Sequence, residues 1–171
     1  MKSFFYILPI FILITNCSPK YRCDDIEFKD GFMFEKNSNI LATGLYRCFE
    51  PKDGIYGSQL NIIEYKDGLG TDKWEYYYND DLIQFGEFIE NRELKNLIIS
   101  LVKPEGIEIQ TFYEGSKETF GWLYIDIIKP KKSLNSKSIK SIKHQARKLS
   151  EEYQITGYII KEWKNNEWKQ Y

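Results

Sequence analysis

A chain of 171 residues, 42% hydrophobic and 29% charged, has room for one ordinary domain and hardly for two. Its 24 Lys and Arg offset 25 Asp and Glu, which excludes a disordered polyelectrolyte and a protein that binds nucleic acid by bulk charge. A single His removes most His-dependent catalysis and His-rich metal sites, while 16% aromatic residues suit sheet surfaces.

Lys2 precedes an unbroken apolar run from Phe4 to Ile14, and the polar group Thr15-Asn16-Cys17-Ser18-Pro19-Lys20 follows. Eleven apolar residues are too few to cross a bilayer core, which takes roughly 20. A charged start, an apolar middle and a small polar end describe a secretory signal. Ile14-Thr15-Asn16-Cys17 resembles the lipobox of bacterial lipoproteins, with Asn16 where Gly, Ala or Ser is usual. The resemblance implies that residues 1–16 are cleaved off and that Cys17 is acylated, anchoring the protein to the cell envelope through palmitate-type chains. Ser18 carries no strong inner-membrane retention character, so the outer membrane is the favoured address. The alternative is an ordinary cleaved signal followed by an unmodified Cys. Residues 17–39 read as an N-terminal tether. With Cys17 lipidated, Cys23 and Cys48 remain; they either pair, closing a loop of about 25 residues worth roughly 3 kcal/mol, or stay as buried thiols. No CxxC spacing supports a zinc knuckle or a redox centre.

Residues 40–128 alternate short aromatic or β-branched runs with turn residues. The runs Leu60–Tyr65, Lys73–Tyr78, Ile83–Phe88, Leu97–Val102, Ile107–Tyr113 and Gly121–Ile128 are predicted strands. The separators, among them Lys66-Asp67-Gly68 and Lys103-Pro104-Glu105-Gly106, hold the residues that preset turns. Tight turns between short strands predict an antiparallel β-meander. The strands also recur: Tyr65, Phe88 and Tyr113 are spaced by 23 and 25, as are Trp74, Leu97 and Trp122. Such a period implies repeated hairpins that must stack to bury a face.

Tyr65-Lys-Asp-Gly68, Lys73-Trp-Glu-Tyr-Tyr-Tyr78 and Phe85-Gly-Glu-Phe88 resemble the variant MORN repeat, whose hairpins read Tyr-x-x-Gly, Gly-x-Trp-x-x-Tyr and Gly-x-Tyr. Gly44-Leu-Tyr46 and Gly121-Trp-Leu-Tyr124 are weaker echoes, and the unit around Leu97 has no aromatic residue. The resemblance covers about half of the mature chain. It implies an exposed β-meander scaffold that docks partners, in a class with some lipidated members catalogued among antitoxins, and supplies no catalytic residue.

From Lys129 the composition changes. Residues 129–171 read as a basic linker, a helix from about Lys137 to Tyr153 capped by Ser136, a strand Ile155–Trp163 and a closing edge from Glu167. Ile139, Ile142, Ala146, Leu149 and Tyr153 step by 3 and 4, one buried stripe. His144 lies about 140° from Ile139 around the helix and is expected in solvent. The fold expected is therefore α+β, with this amphipathic helix packed on one face of the sheet.

Charge is polarised along the sequence. Residues 18–128 hold 12 Lys and Arg against 21 Asp and Glu; residues 129–171 hold 11 against 4. The basic group, with Lys131, Lys132, Lys140, Lys143 and Arg147 as its candidate contacts, is either a solvated helix face or a surface for anionic headgroups or an acidic partner. Export makes nucleic acid an unlikely target. The paired carboxylates Asp24-Asp25, Asp80-Asp81 and Glu151-Glu152 sit in a tether, a turn and a helix end, and no phosphate loop, dinucleotide motif or EF-hand pattern occurs. Neither catalysis nor a metal or cofactor is expected. Alternation puts Trp74, Tyr76 and Tyr78 on one side of a strand and Glu75 and Tyr77 on the other. The expectation is a lipid-anchored binding scaffold that docks a protein or envelope component through Trp74, Tyr76, Tyr77, Tyr78 and Trp122. The alternatives are an immunity-type antitoxin that occludes a toxin, and a structural lipoprotein without a ligand. Labelled palmitate should enter the wild-type chain in cells and not a Cys17→Ala variant; label that persists in the variant would exclude Cys17 as the acylation site.

Overall fold

The computed structural model describes residues 21–51, 58–78, 81–114 and 121–171; the leader, with Cys17, lies outside them. Three hairpins are set by pairs of residues that accept positive φ: Asp30-Gly31 (56° and 93°), Asp67-Gly68 (51° and 79°) and Asn165-Asn166 (55° and 64°). Two consecutive left-handed residues make the turn whose twist matches that of paired strands. They join β2 (Ile26–Lys29) to β3 (Phe32–Glu35), β5 (Ser58–Lys66) to β6 (Leu69–Tyr78), and β10 (Gly157–Lys164) to β11 (Glu167–Gln170).

With β1 (Tyr21–Arg22), β4 (Gly44–Pro51), β7 (Asp81–Phe88), β8 (Gly106–Glu114) and β9 (Gly121–Ile128), these strands build a nine-stranded sheet in the order β1-β4-β5-β6-β7-β8-β9-β10-β11. Pairing is antiparallel except for β1 with β4 and β9 with β10. The β2–β3 hairpin stands apart from this sheet. The fold is the expected α+β meander with a C-terminal helix on the sheet.

Leu97–Val102, expected as a strand, is helical: it belongs to α1 (Arg92–Val102). Asn91 caps α1 by accepting from Leu94 N at 2.9 Å, and Lys103 ends it with φ 46° just before Pro104. Leu94, Ile98 and Val102, four residues apart, are fully buried. The apolar run Leu97 to Val102 carries no period of its own; the period of four emerges only when Leu94 is counted with it.

The second helix, α2 (Ser136–Glu152), is capped by Asn135, one residue before the expected Ser136; its side chain accepts from Ser138 N at 2.9 Å. Ile142, Ala146 and Leu149 are buried as expected, whereas Tyr153, past the last helical residue, is 44% exposed. α2 connects β9 to the parallel β10 and packs on α1 and β10. Under the two helices Ile109, Leu123, Ile125, Ile127 and Ile160 close the main core.

Residues from Tyr21 onward, expected as part of a tether, are folded. β1 pairs with β4 and forms the edge of the sheet, and the β2–β3 hairpin folds against the sheet. A Cβ at Gly31 would stand 2.6 Å from Ile128 Cγ2 and 2.8 Å from Trp163 Cδ1, so the hairpin tip touches β9 and β10. Met33 N donates to Gly68 O at 3.0 Å, and Gly68 N donates to Ala42 O at 2.9 Å. Cys23 is disulfide-bonded. Continuing the β1–β4 register by one residue brings Cys23 opposite Cys48, whose side chain lies outside the described residues.

The helical assignment has a direct stability consequence. Ile98→Ala should destabilise by about 2–5 kcal/mol and the neighbouring, 43% exposed Ile99→Ala by less than about 0.5 kcal/mol in urea unfolding. Equal losses at the two positions would contradict the packing of α1.

Candidate functional site on the open sheet face

The helices cover one face of β8, β9 and β10, and alternation assigns every second residue of those strands to the other face. Along one row of that open face the register aligns Trp74, Gly86, Phe112, Trp122 and Gly157 across five adjacent strands. The two glycines make room for the two indoles. A Cβ at Gly86 would lie 2.0 Å from Trp74 Nε1, and one at Gly157 would lie 2.7 Å from the Trp122 ring. Trp74 therefore lies across β7 and stacks on Phe112, with centroids 6.1 Å apart and planes 18° from parallel. Trp122 lies across β10 and is 37% exposed.

The ladder extends towards the C-terminal edge. Phe112 and Tyr124 have centroids 5.5 Å apart, and Lys161 Nζ sits 4.7 Å from the Tyr124 ring and 5.8 Å from that of Trp168. A cation over aromatic faces is held by their quadrupoles. Trp163 and Trp168 follow at 5.1 Å. The result is an aromatic strip with one ammonium within it.

A row of opposite character lies alongside. Glu108, Asp126 and Lys161 are register partners on β8, β9 and β10. Lys161 Nζ is 4.0 Å from Asp126 Oδ1, which accepts no hydrogen bond among the described residues and is compensated by that charge alone. Gly70 N donates to Glu108 Oε1 at 3.2 Å. Burial, reinforced by the neighbouring Asp126 charge, pushes Glu108 up to about 7 against the opposing pull of the Gly70 N–H. Burial pushes Asp126, 7% exposed, up to about 6, with Lys161 opposing. Tyr65 is raised to about 12 by burial and then by the Glu108 charge. Beside this row lies a cleft of about 410 Å³ lined by Glu108, Lys66, Asn91 and Lys95. Both carboxyls are thus held above the ordinary carboxylate range, chiefly by burial. Among the described residues no group of three or more His, Cys, Asp or Glu is placed to hold a metal ion.

The expected binding residues divide between the two faces. Trp74 and Trp122 share one row, and Tyr76 lies on the same face two residues along β6. Tyr77 points to the opposite side, where its hydroxyl donates to Glu75 Oε2 at 2.8 Å. The Tyr78 side chain lies outside the described residues. Lys131, Lys132, Lys140 and Arg147 are exposed and Lys143 half-buried, all in the helix layer on the far side of the sheet from Trp74. Lys129 is engaged by Asp30 at 3.5 Å and Glu105 at 3.9 Å. His144 is exposed on α2. Phe112, Tyr124, Lys161, Glu108 and Asp126 were not singled out by sequence reasoning. The available signal was an acid flanked by isoleucines, Ile107-Glu-Ile109 and Ile125-Asp-Ile127, in strands whose other face is core. Comparison with known proteins finds no matching family model, no matching curated protein and no matching solved structure.

The raised carboxyls make stability depend on pH in a defined direction. Between about pH 4.5 and 7 the folded chain binds protons at Glu108 and Asp126 that the unfolded chain has released. Their contribution is complete at acid pH and is lost as pH rises through 6 and 7. Glu108→Gln, which keeps an acceptor for Gly70 N, should flatten the fall in urea-unfolding free energy between pH 5 and pH 8, by at most about 3 kcal/mol. A wild-type chain that loses no more stability than the variant over that interval would contradict the buried pair.

Proposed function

We propose that the chain is an exported, lipid-anchored binding protein of the cell envelope, which docks a protein or envelope component through the open aromatic face of its sheet. The observation that carries this reading is the Trp74–Phe112–Trp122 row, laid flat by Gly86 and Gly157 and left uncovered by the helices. Stacked rings lose little conformational entropy when a partner seats on them, and Trp and Tyr dominate the energetics of interfaces. A large aromatic patch left in water is otherwise a liability.

The leader supplies the envelope half of the reading. An acyl chain contributes about 0.8 kcal/mol per buried CH₂, so a multiply acylated Cys17 holds a folded domain at a bilayer without a membrane-spanning segment. No helix among the described residues is long and apolar enough to cross a membrane. Ser18-Pro19-Lys20 alone separates Cys17 from β1. That length of chain can reach at most about 14 Å.

Trp74→Ala combined with Trp122→Ala should cut capture of the partner from solubilised envelopes at least tenfold, because central aromatic anchors each carry about 2 kcal/mol or more. Circular dichroism should give both proteins the same folded signal. Tyr77→Ala, on the other face, serves as the control and should leave capture unchanged. Equal capture by the double variant and the wild type would overturn the reading.

A further inference from the structure

The helix layer presents a second surface, on the side of the sheet away from the aromatic row. Lys131, Lys132, Lys137, Lys140, Arg147 and Lys148 are exposed there, and none forms an ion pair among the described residues. From Lys129 to Ser150 the sequence contains no acid. Lys137, Lys140, His144, Arg147 and Lys148 fall within about 100° of one another around α2, on the side opposite the buried Ile142 and Ala146. α1 adds Arg92 and Lys95, while its Glu93 is engaged by Gln145 Nε2 at 3.1 Å. Residues 18–128, which supply the strands up to β9 and α1, have the opposite balance, 12 cations against 21 acids.

The composition of this surface separates its possible partners. Protein interfaces are depleted of Lys and rely on aromatic anchors. On the helix side of the sheet the exposed large apolar side chains are Ile99 on α1, Tyr153 past the end of α2, and Leu82 and Phe85 on β7, and none lies among the α2 cations. A Lys-rich surface without anchors gains by proximity to many anionic headgroups at once, each cation being worth about fivefold in affinity near such a surface. The clustering of these cations on α2 and its leading loop favours the orientation that brings α2 to the headgroups.

We propose that the helix layer is a docking surface for an anionic phospholipid bilayer, which holds the domain with α2 against the headgroups and the Trp74–Trp122 face turned outward. This surface acts whether or not Cys17 is acylated. The lipid-facing and partner-facing sides are then the two sides of one sheet.

The full chain is reconstituted on vesicles of phosphatidylcholine alone and of phosphatidylcholine with one-third phosphatidylglycerol, and lysine acylation is read residue by residue by mass spectrometry. Lys137, Lys140 and Lys148 should be labelled at least fivefold more slowly on the anionic vesicles, while Lys29 and Lys36, in and just after the β2–β3 hairpin on the other side of the sheet, are labelled equally on both. The protection should disappear in 1 M salt, where the Debye length is about 3 Å. Lys140→Ala with Arg147→Ala should weaken binding to the anionic vesicles by about fivefold per cation removed, and so diminish the protection of Lys137 and Lys148. Equal labelling on the two vesicles, protection that survives high salt, or protection produced by soluble polyglutamate and not by anionic vesicles would each overturn the proposal. None of these outcomes depends on capture by the aromatic face, which is measured separately.

Discussion

The alternation of side chains along β9 both holds this molecule together and divides it. Leu123, Ile125 and Ile127 are fully buried under the helix layer, while Trp122, Tyr124 and Asp126 occupy the other face of the same strand. Each buried Ile or Leu contributes about 1.5–3 kcal/mol, so this strand and its neighbours fix α1 and α2 to one side. Two helices over β8, β9 and β10 leave the rest of a nine-stranded sheet without a helical cover. The β2–β3 hairpin shields one end of the open face, where Gly31 meets Ile128 and Trp163. The remainder holds the flat indoles. The same residue-by-residue alternation that builds the core thus leaves a row of rings facing solvent.

That division also sorts charge. Cations concentrate on α2 and its leading loop, and acids on the strands and turns. Inside the open face the balance is finer: Asp126, register partner of Glu108, is paired with the Lys161 ammonium, and that ammonium also rests on Tyr124. Lys161 links the polar row to the aromatic strip, so the two features are one surface with a common pivot. A partner that drew Lys161 away from Asp126 would also remove the charge that opposes the upward shift of that carboxyl.

Much of the fold was legible where a local rule decides it. Asp67-Gly68 and Asn165-Asn166 announce their hairpins because few other pairs adopt consecutive positive φ. The stripe Ile139 to Leu149 announces α2 because its spacing is that of a helix. Leu97 to Val102 misled, since six mostly branched residues satisfy a strand and a buried helix alike; the resolving residues, Asn91 and Leu94, lie before the run. The N-terminal hairpin was hidden because charged residues surround it and its tip packs against β9 and β10, more than 95 residues away. The same distance hid the site. The spacing of Trp74, Tyr76 and Tyr78 reveals which of them share a face, but only the register with Gly86, Phe112 and Gly157 reveals that the rings lie flat. Nothing in the sequence neighbourhood of Glu108 names Asp126 as its partner.

The central claim is that the uncovered face is where the molecule meets its partner. Hydroxyl-radical footprinting of the chain in its native envelope, set against the purified chain, tests this most directly. The account predicts that Trp74, Tyr76 and Trp122 are oxidised several-fold more slowly in the envelope than in the purified chain. Unchanged oxidation of Trp74 and Trp122 would contradict it.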